Sequence, residues 1–211
     1  VVSAEVETVN VHQGLLCKSS EFFKRAMKPE WASLREDPHT IHLSEDTIEV
    51  VILYVRWLYR PELQVEVTMP EDNSDACRGV QSEKLYTELA EAYVFGEKIL
   101  DASFKNAAVQ KFLEVQRILT YSPGPCSVAI VYAGTTTGSR LRHLITDLIA
   151  YNASGHESWG TYFEEYPREA LIDAIKAINT LRGRSGKSPY LSDHKKYLED
   201  EDQVNLINAP A

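Results

Sequence analysis

Cysteine is scarce in this chain and follows no pattern. Cys17, Cys77 and Cys126 are odd in number and far apart, which leaves no disulfide framework and no zinc-ligand spacing, and points to a reducing compartment, the cytoplasm or the nucleus. A basic surplus is missing as well: 22 Lys and Arg stand against 31 Asp and Glu, a net charge of -9. Binding to nucleic acid or to an anionic membrane needs a concentrated positive surface, so both are disfavoured as partners. No apolar run reaches the roughly 20 residues of a membrane span, no secretory signal is visible, and no internal repeat appears. The chain starts at Val1 rather than Met, and an N-terminal piece is expected to be missing. What is present is ordinary for a soluble globular protein, 44% hydrophobic and 25% charged, in a chain long enough for one large domain or a domain with an appendage.

The most apolar stretch is 47–59, TIEVVILYVRWLY. Ile48, Val51, Val55 and Leu58 follow helical spacing on one face, and Val50, Leu53, Tyr54 and Trp57 fill much of the other, with only Glu49 and Arg56 interrupting. It is too long for an ordinary buried strand, and Ser44, Asp46 and Thr47 offer N-caps. A helix apolar all round but too short for a membrane predicts a buried central helix with elements packed on both sides. Upstream, 6–11 alternates as a half-buried strand, and Val1 and Val2 read as the end of a preceding one. A short apolar segment over 12–17 leads to a helix capped by Ser20, SEFFKRAM, which Pro29 ends. The connector 30–38 carries Trp31 and Leu34 among charges, and 40–43 (TIHL) reads as another strand.

This succession, VHQGLLCKSSEFFKRAM, PEW, TIHLSED and VILYVRWLY, resembles the BTB/POZ family, and most of all the single-module BTB proteins of filamentous fungi. In that family a strand ending in a Val-His pair leads to a helical hairpin, a short strand and a helix with an apolar-Leu-Tyr end. Further along, 63–67 alternates as an edge strand and 69–80 reads as a polar loop that holds Cys77. Helical spacing follows over 82–99 and, behind an Asp101 cap, over 101–119, like the helical pair that closes a BTB domain. The expected fold class is therefore α+β: a BTB/POZ domain over 1–121 with a small sheet and a helical cluster, its N-terminus truncated. A helical extension is expected over 122–181, with helices at 126–132, 141–149 and 167–178, then a polar, flexible or docked tail over 182–211.

The resemblance implies a protein-protein interaction module. In BTB adaptors that recruit a cullin scaffold to a ubiquitin ligase, the loop after the Phe-containing helix carries an apolar-x-Glu motif. Here Trp31 is followed by Ala32 and Ser33, so Glu is absent from the usual place, and Leu34-Arg35-Glu36 fits the pattern further along. Trp31, Leu34, Glu36 and Tyr59 at the end of the central helix are thus the candidate protein-binding residues, with a cullin as the specific partner. The alternative within the binding class is a homo-oligomerising scaffold or transcription-associated BTB protein without cullin binding. Family dimers exchange an N-terminal helix and strand, and that region precedes or overlaps Val1.

No catalytic, cofactor or metal site is expected, and an enzyme with an unrecognised site is a distant alternative. His39 and His42, three apart on a strand, point to opposite faces and cannot easily share an ion. The resemblance makes His12 a packing and hydrogen-bonding residue. Cys17 reads as a buried inert thiol. The 134–139 segment GTTTGS lacks the Lys of a phosphate loop and is better explained as supplying the N-cap Thr137 or Ser139, with Arg140 and Arg142 as weak anion-binding candidates. Paired carboxylates such as Glu164 and Glu165 read as solvated surface.

Overall fold

Leu85, Leu89, Ala92, Tyr93 and Gly96 recur at helical spacing, and the helix they define is the spine of the molecule. The computed structural model describes residues 7–153, 157–181 and 193–199. Among them are ten α-helices: α1 Gln13–Ser19, α2 Glu21–Ala26, α3 Pro29–Ala32, α4 Ile48–Tyr59, α5 Asp75–Lys98, α6 Ala102–Leu119, α7 Pro125–Gly134, α8 Arg140–Asn152, α9 Glu157–Glu165 and α10 Arg168–Leu181. A 3-10 turn, His194–Tyr197, follows. Helix α5 packs against α4, α6 and α7, and α8 packs against α7 and α10. One hydrophobic core runs from Phe23 to Tyr197 without a break at residue 121.

Two glycines permit close approaches between helices. A Cβ on Gly134 would lie inside the methyls of Val94 where α7 meets α5, and one on Gly96 would lie 2.8 Å from Lys105 Cγ where α5 meets α6. The caps explain where helices begin. Ser20 Oγ accepts from Phe23 N at 3.1 Å and Asp101 Oδ1 from Phe104 N at 2.9 Å, each satisfying an otherwise unpaired N–H of the first turn. The N-terminus of α7 is capped from outside. Glu83 of α5 accepts from Gly124 N at 2.6 Å, Ser127 N at 2.9 Å and Ser127 Oγ at 3.0 Å.

Several expectations are corrected. The α+β fold with a small sheet gives way to an all-helical architecture: no residue among those described is in a strand. Around Leu63 the alternation holds at the level of burial, for Leu63 and Val65 are buried while Glu62, Gln64 and Glu66 are exposed. Over 40–43 it holds in part, with Ile41 and Leu43 half-buried against the core and His42 exposed, and over 7–11 it does not mark a buried face. No backbone ladder joins these segments; Val65 N bonds Leu63 O and Thr40 N bonds Asp37 O, both local turns. Alternation specifies an extended chain with one buried side, but a sheet also needs a partner strand in register. Residues 1–6 lie outside the described residues, and with them the strand end read at Val1 and Val2.

Helix α4 is fully covered on one side only, its other side being half-buried. Val50, Leu53, Tyr54 and Trp57 are buried, whereas Ile48, Val51, Ile52 and Val55 are half-buried, so the centre of the core is α5 rather than α4. Pro29 opens α3 instead of merely ending α2, consistent with its fixed φ at the first helical position. Helix α5 starts at Asp75, capped by Ser74, which places Cys77 in a helix and not in a loop. Cys17 is half-buried rather than buried, although burial is still what raises its thiol pKa. In the 182–211 tail, Tyr197 is docked with 1% exposure; residues 182–192 and 200–211 lie outside the described residues.

At the end of α5, Leu100 N bonds Glu97 O at 3.3 Å and Asp101 N bonds Gly96 O at 3.0 Å, the two bonds of a Schellman motif. Its left-handed position, usually glycine, is held by Leu100 at φ 56, and the side chain is half exposed. The αL strain of about 1–2 kcal/mol exceeds the entropic penalty of glycine, about 0.5–1 kcal/mol. Leu100→Gly is therefore expected to stabilise the fold by up to about 1 kcal/mol, read as a rise in the urea midpoint at constant slope.

Candidate functional site

Three of the four candidate residues, Trp31, Leu34 and Glu36, lie on the connector between α2 and α4, and its own chemistry holds it in shape. Arg35 is the staple. Its guanidinium donates to Ala26 O at 2.9 Å and to Pro38 O at 2.6 Å, bridging the end of α2 to the far side of the loop. Asp37 makes the following turn, accepting from His39 N at 2.9 Å and from the Thr40 hydroxyl at 2.5 Å. The Thr40 hydroxyl first, and the His39 N–H second, hold the Asp37 carboxyl below the usual carboxylate range. An Asp bonding the N–H two residues on is the Asx turn that Asp-Pro-His favours.

With the backbone fixed in this way, Trp31 on α3 is 60% exposed and Leu34 is 75% exposed, and Glu36 is exposed beside them. The Leu34 N–H bonds Trp31 O at 3.4 Å, so the two apolar side chains are carried on one turn. Trp31 and Leu34 do not anchor the loop on the core; Arg35 ties it to the end of α2. Sequence reasoning passed over Arg35 because a lone arginine in a charged loop carries no pattern, and its role depends on carbonyls nine residues before and three after.

Tyr59 is 50% exposed at the end of α4, where its hydroxyl meets His12 Nδ1 at 2.5 Å and accepts from His12 N at 3.2 Å. The two rings pack edge to face with centroids 5.7 Å apart. This pair ties the start of α1 to the end of α4, and it gives His12 the hydrogen-bonding and packing position expected of it. Tyr59 is thus partnered with His12, while Trp31, Leu34 and Glu36 form the connector group.

The other sequence candidates are used structurally. Arg142 is buried and bonded to the end of α7 and to Glu169, which removes it from anion binding at 134–139, and Arg140 bonds Lys196 O at 3.4 Å. Ser139 stands at the N-cap of α8 but makes no side-chain cap bond there; its hydroxyl donates to Tyr93 Oη at 3.3 Å. His39 and His42 are both exposed. Among the described residues no group of three or more His, Cys, Asp or Glu side chains is placed to hold a metal ion, and no helix is long and apolar enough to cross a membrane. A recess between α4 and α5 is lined by Glu49, Lys84, Glu88 and Glu91. Burial, followed by the Glu49 and Glu88 charges, raises the Glu91 carboxyl. No family model, curated protein or solved structure matches the chain.

Proposed function

We propose that this chain is a protein-binding module whose contact surface is the connector carrying Trp31, Leu34 and Glu36, with a cullin scaffold as the partner implied by the BTB/POZ resemblance. The observation that carries the reading is the exposure of Trp31 and Leu34, 60% and 75%, on a loop pinned at both ends by Arg35. A large apolar side chain held out to solvent by a rigid backbone has already met part of the ordering cost of binding, and tryptophan is the residue type most enriched at binding hot spots. The adjacent Glu36 adds a charge at the rim, where it favours orientation and encounter more than affinity. Recruitment of targets to a cullin-RING ubiquitin ligase is the specific form of this proposal.

The test is a titration of the purified chain against the N-terminal region of the cullin that serves BTB adaptors, with Trp31→Ala and Leu34→Ala in parallel. Binding is expected to weaken by about 2 kcal/mol, roughly 30-fold, in Trp31→Ala, and by at least tenfold in Leu34→Ala. Absence of binding at tens of micromolar, roughly -6 kcal/mol, sinks the cullin adaptor. Light scattering on the same samples then decides whether the chain is instead a homo-oligomerising scaffold, which requires a mass above that of one chain.

A further inference from the structure

A second surface lies away from the connector, where the segment 193–199 crosses α5, α6 and α8. It is held in the manner of a bound peptide. Tyr197 is 1% exposed, and its hydroxyl donates to Asp147 Oδ2 of α8 at 2.6 Å. Asn106 of α6, itself 5% exposed, grips the backbone of Glu199 from both sides: Glu199 N donates to Asn106 Oδ1 at 2.8 Å, and Asn106 Nδ2 donates to Glu199 O at 3.3 Å. The Glu199 carboxylate lies 3.3 Å from Lys105 Nζ and accepts from the Tyr93 hydroxyl at 3.2 Å. Arg140 reaches a further backbone carbonyl, Lys196 O.

These contacts are of three kinds: an aromatic anchor with a hydroxyl partner, side chains that read the peptide backbone, and a cation for an acidic side chain. Asparagine is a poor residue for the interior of a helix and is seldom buried there without a use for both its donor and its acceptor. Asn106 has that use, because it matches both the N–H and the C=O of Glu199. We infer that the groove formed by Tyr93, Lys105, Asn106 and Asp147 is a binding site for a peptide with the pattern Tyr-apolar-Glu whose tyrosine closes a 3-10 turn, occupied in cis by Tyr197, Leu198 and Glu199.

Occupation in cis sets how the site responds to a partner. A ligand attached to its own site is present at an effective concentration on the order of millimolar. A segment with an intrinsic Kd of about 10 μM then fills the groove about 99% of the time, and a competing peptide meets an apparent affinity weakened about 100-fold. A partner bearing the same pattern therefore engages only when the chain's own segment is released.

The experiment uses the full chain and a fluorescein-labelled peptide of residues 193–199, followed by anisotropy. Tyr197→Ala removes the anchor of the cis segment. Glu199→Arg, at a half-buried position with a reversed charge toward Lys105, is a second release variant that decides the question if Tyr197→Ala loses its helical circular dichroism. The peptide is expected to bind a folded release variant at least tenfold more tightly than the unsubstituted chain, and to lose that binding when its tyrosine is alanine or its glutamate arginine. Equal affinity for the released and unsubstituted chains, or binding indifferent to the peptide's tyrosine, overturns the inference. Trp31→Ala and Leu34→Ala leave the peptide titration unchanged, so this result and the cullin titration fail or succeed separately.

Discussion

Replacing Asp101 with alanine is expected to cost about 3–5 kcal/mol, among the largest effects of any single substitution in this fold. Asp101 is fully buried and sits where three elements meet. Its Oδ2 accepts from the Tyr54 hydroxyl of α4 at 2.9 Å and from the Ser19 hydroxyl of α1, and its Oδ1 caps α6 through Phe104 N. Truncation strands two donors in the core, the Tyr54 O–H and the Phe104 N–H, at about 1–3 kcal/mol each. The Ser19 hydroxyl is only part-buried and can turn to water. Tyr54 cannot escape, because its ring packs against Phe23, Trp57, Phe95 and Phe104. Urea unfolding at neutral pH measures the loss. Asp101→Asn keeps the cap acceptor for Phe104 N, but its amide nitrogen donates where Oδ2 accepted, so the Tyr54 O–H loses that acceptor and about half of the alanine loss should be recovered.

The same pair of proteins reports a pH effect with a definite sign. Burial raises the Asp101 carboxyl above its ordinary range, and the bonds from Ser19, Phe104 N and Tyr54 oppose that rise without cancelling it. An acid whose folded pKa is raised binds its proton more tightly in the folded chain, so stability falls as pH rises from the unfolded carboxylate value, about 4, through the raised folded value. Asp101→Asn lacks this slope, and other carboxylates are common to both proteins. The stability of the unsubstituted chain relative to Asp101→Asn should therefore be greater at about pH 4 than at about pH 7; no change or the opposite change contradicts it.

What could be read from the sequence was local. Ser20 and Asp101 are recognisable as caps because capping depends on residues within three positions, and the stripes of α6, α8 and α10 are recognisable because each buries one face, while α5, buried on more than one side, still repeats its apolar residues at helical spacing. The failures come from properties held between distant segments. Alternation at Leu63, Val65 and Val67 shows which side chains turn inward but says nothing of a partner backbone, so a sheet was expected where there is none. In 47–59, apolar residues on all sides suggested full burial on all sides, yet only the face of Leu53 and Trp57 is fully covered and the other is half-buried. The start of α5 was missed because 75–81 is polar and mostly unburied, leaving the Ser74 cap as its one local mark. Helix α9 escaped notice although Trp159, Tyr162, Phe163 and Tyr166 repeat at helical spacing and their rings pack in sequence. At the candidate site, the exposure of Trp31 and Leu34 follows from Arg35 reaching back to Ala26, which no spacing rule contains.

Arg142→Ala is expected to destabilise the chain by about 3 kcal/mol, because it removes the cation that closes α7. The guanidinium is buried in the apolar stripe of α8. It donates to Tyr132 O at 2.6 Å, to Thr135 Oγ1 at 2.9 Å and to Thr135 O, and it stacks over the Tyr132 ring with its carbon 4.4 Å from the centroid. The last carbonyls of a helix have no intrahelical donor and carry the negative end of its dipole. Arg142 answers both needs from a neighbouring helix, and its loss leaves those carbonyls in the core. The ion pair with Glu169, at 3.0 Å, contributes little, since the Glu169 side chain is 63% exposed; Glu169→Gln should change stability by less than about 0.5 kcal/mol. Arg142→Lys separates charge from geometry. An ammonium supplies the charge but cannot reach the two carbonyls and the Thr135 hydroxyl from separate nitrogens while lying flat on a tyrosine ring, so it should recover no more than about half of the alanine loss. Full recovery by lysine would mean that the fork and the ring contact contribute nothing, and that α7 is closed by charge alone.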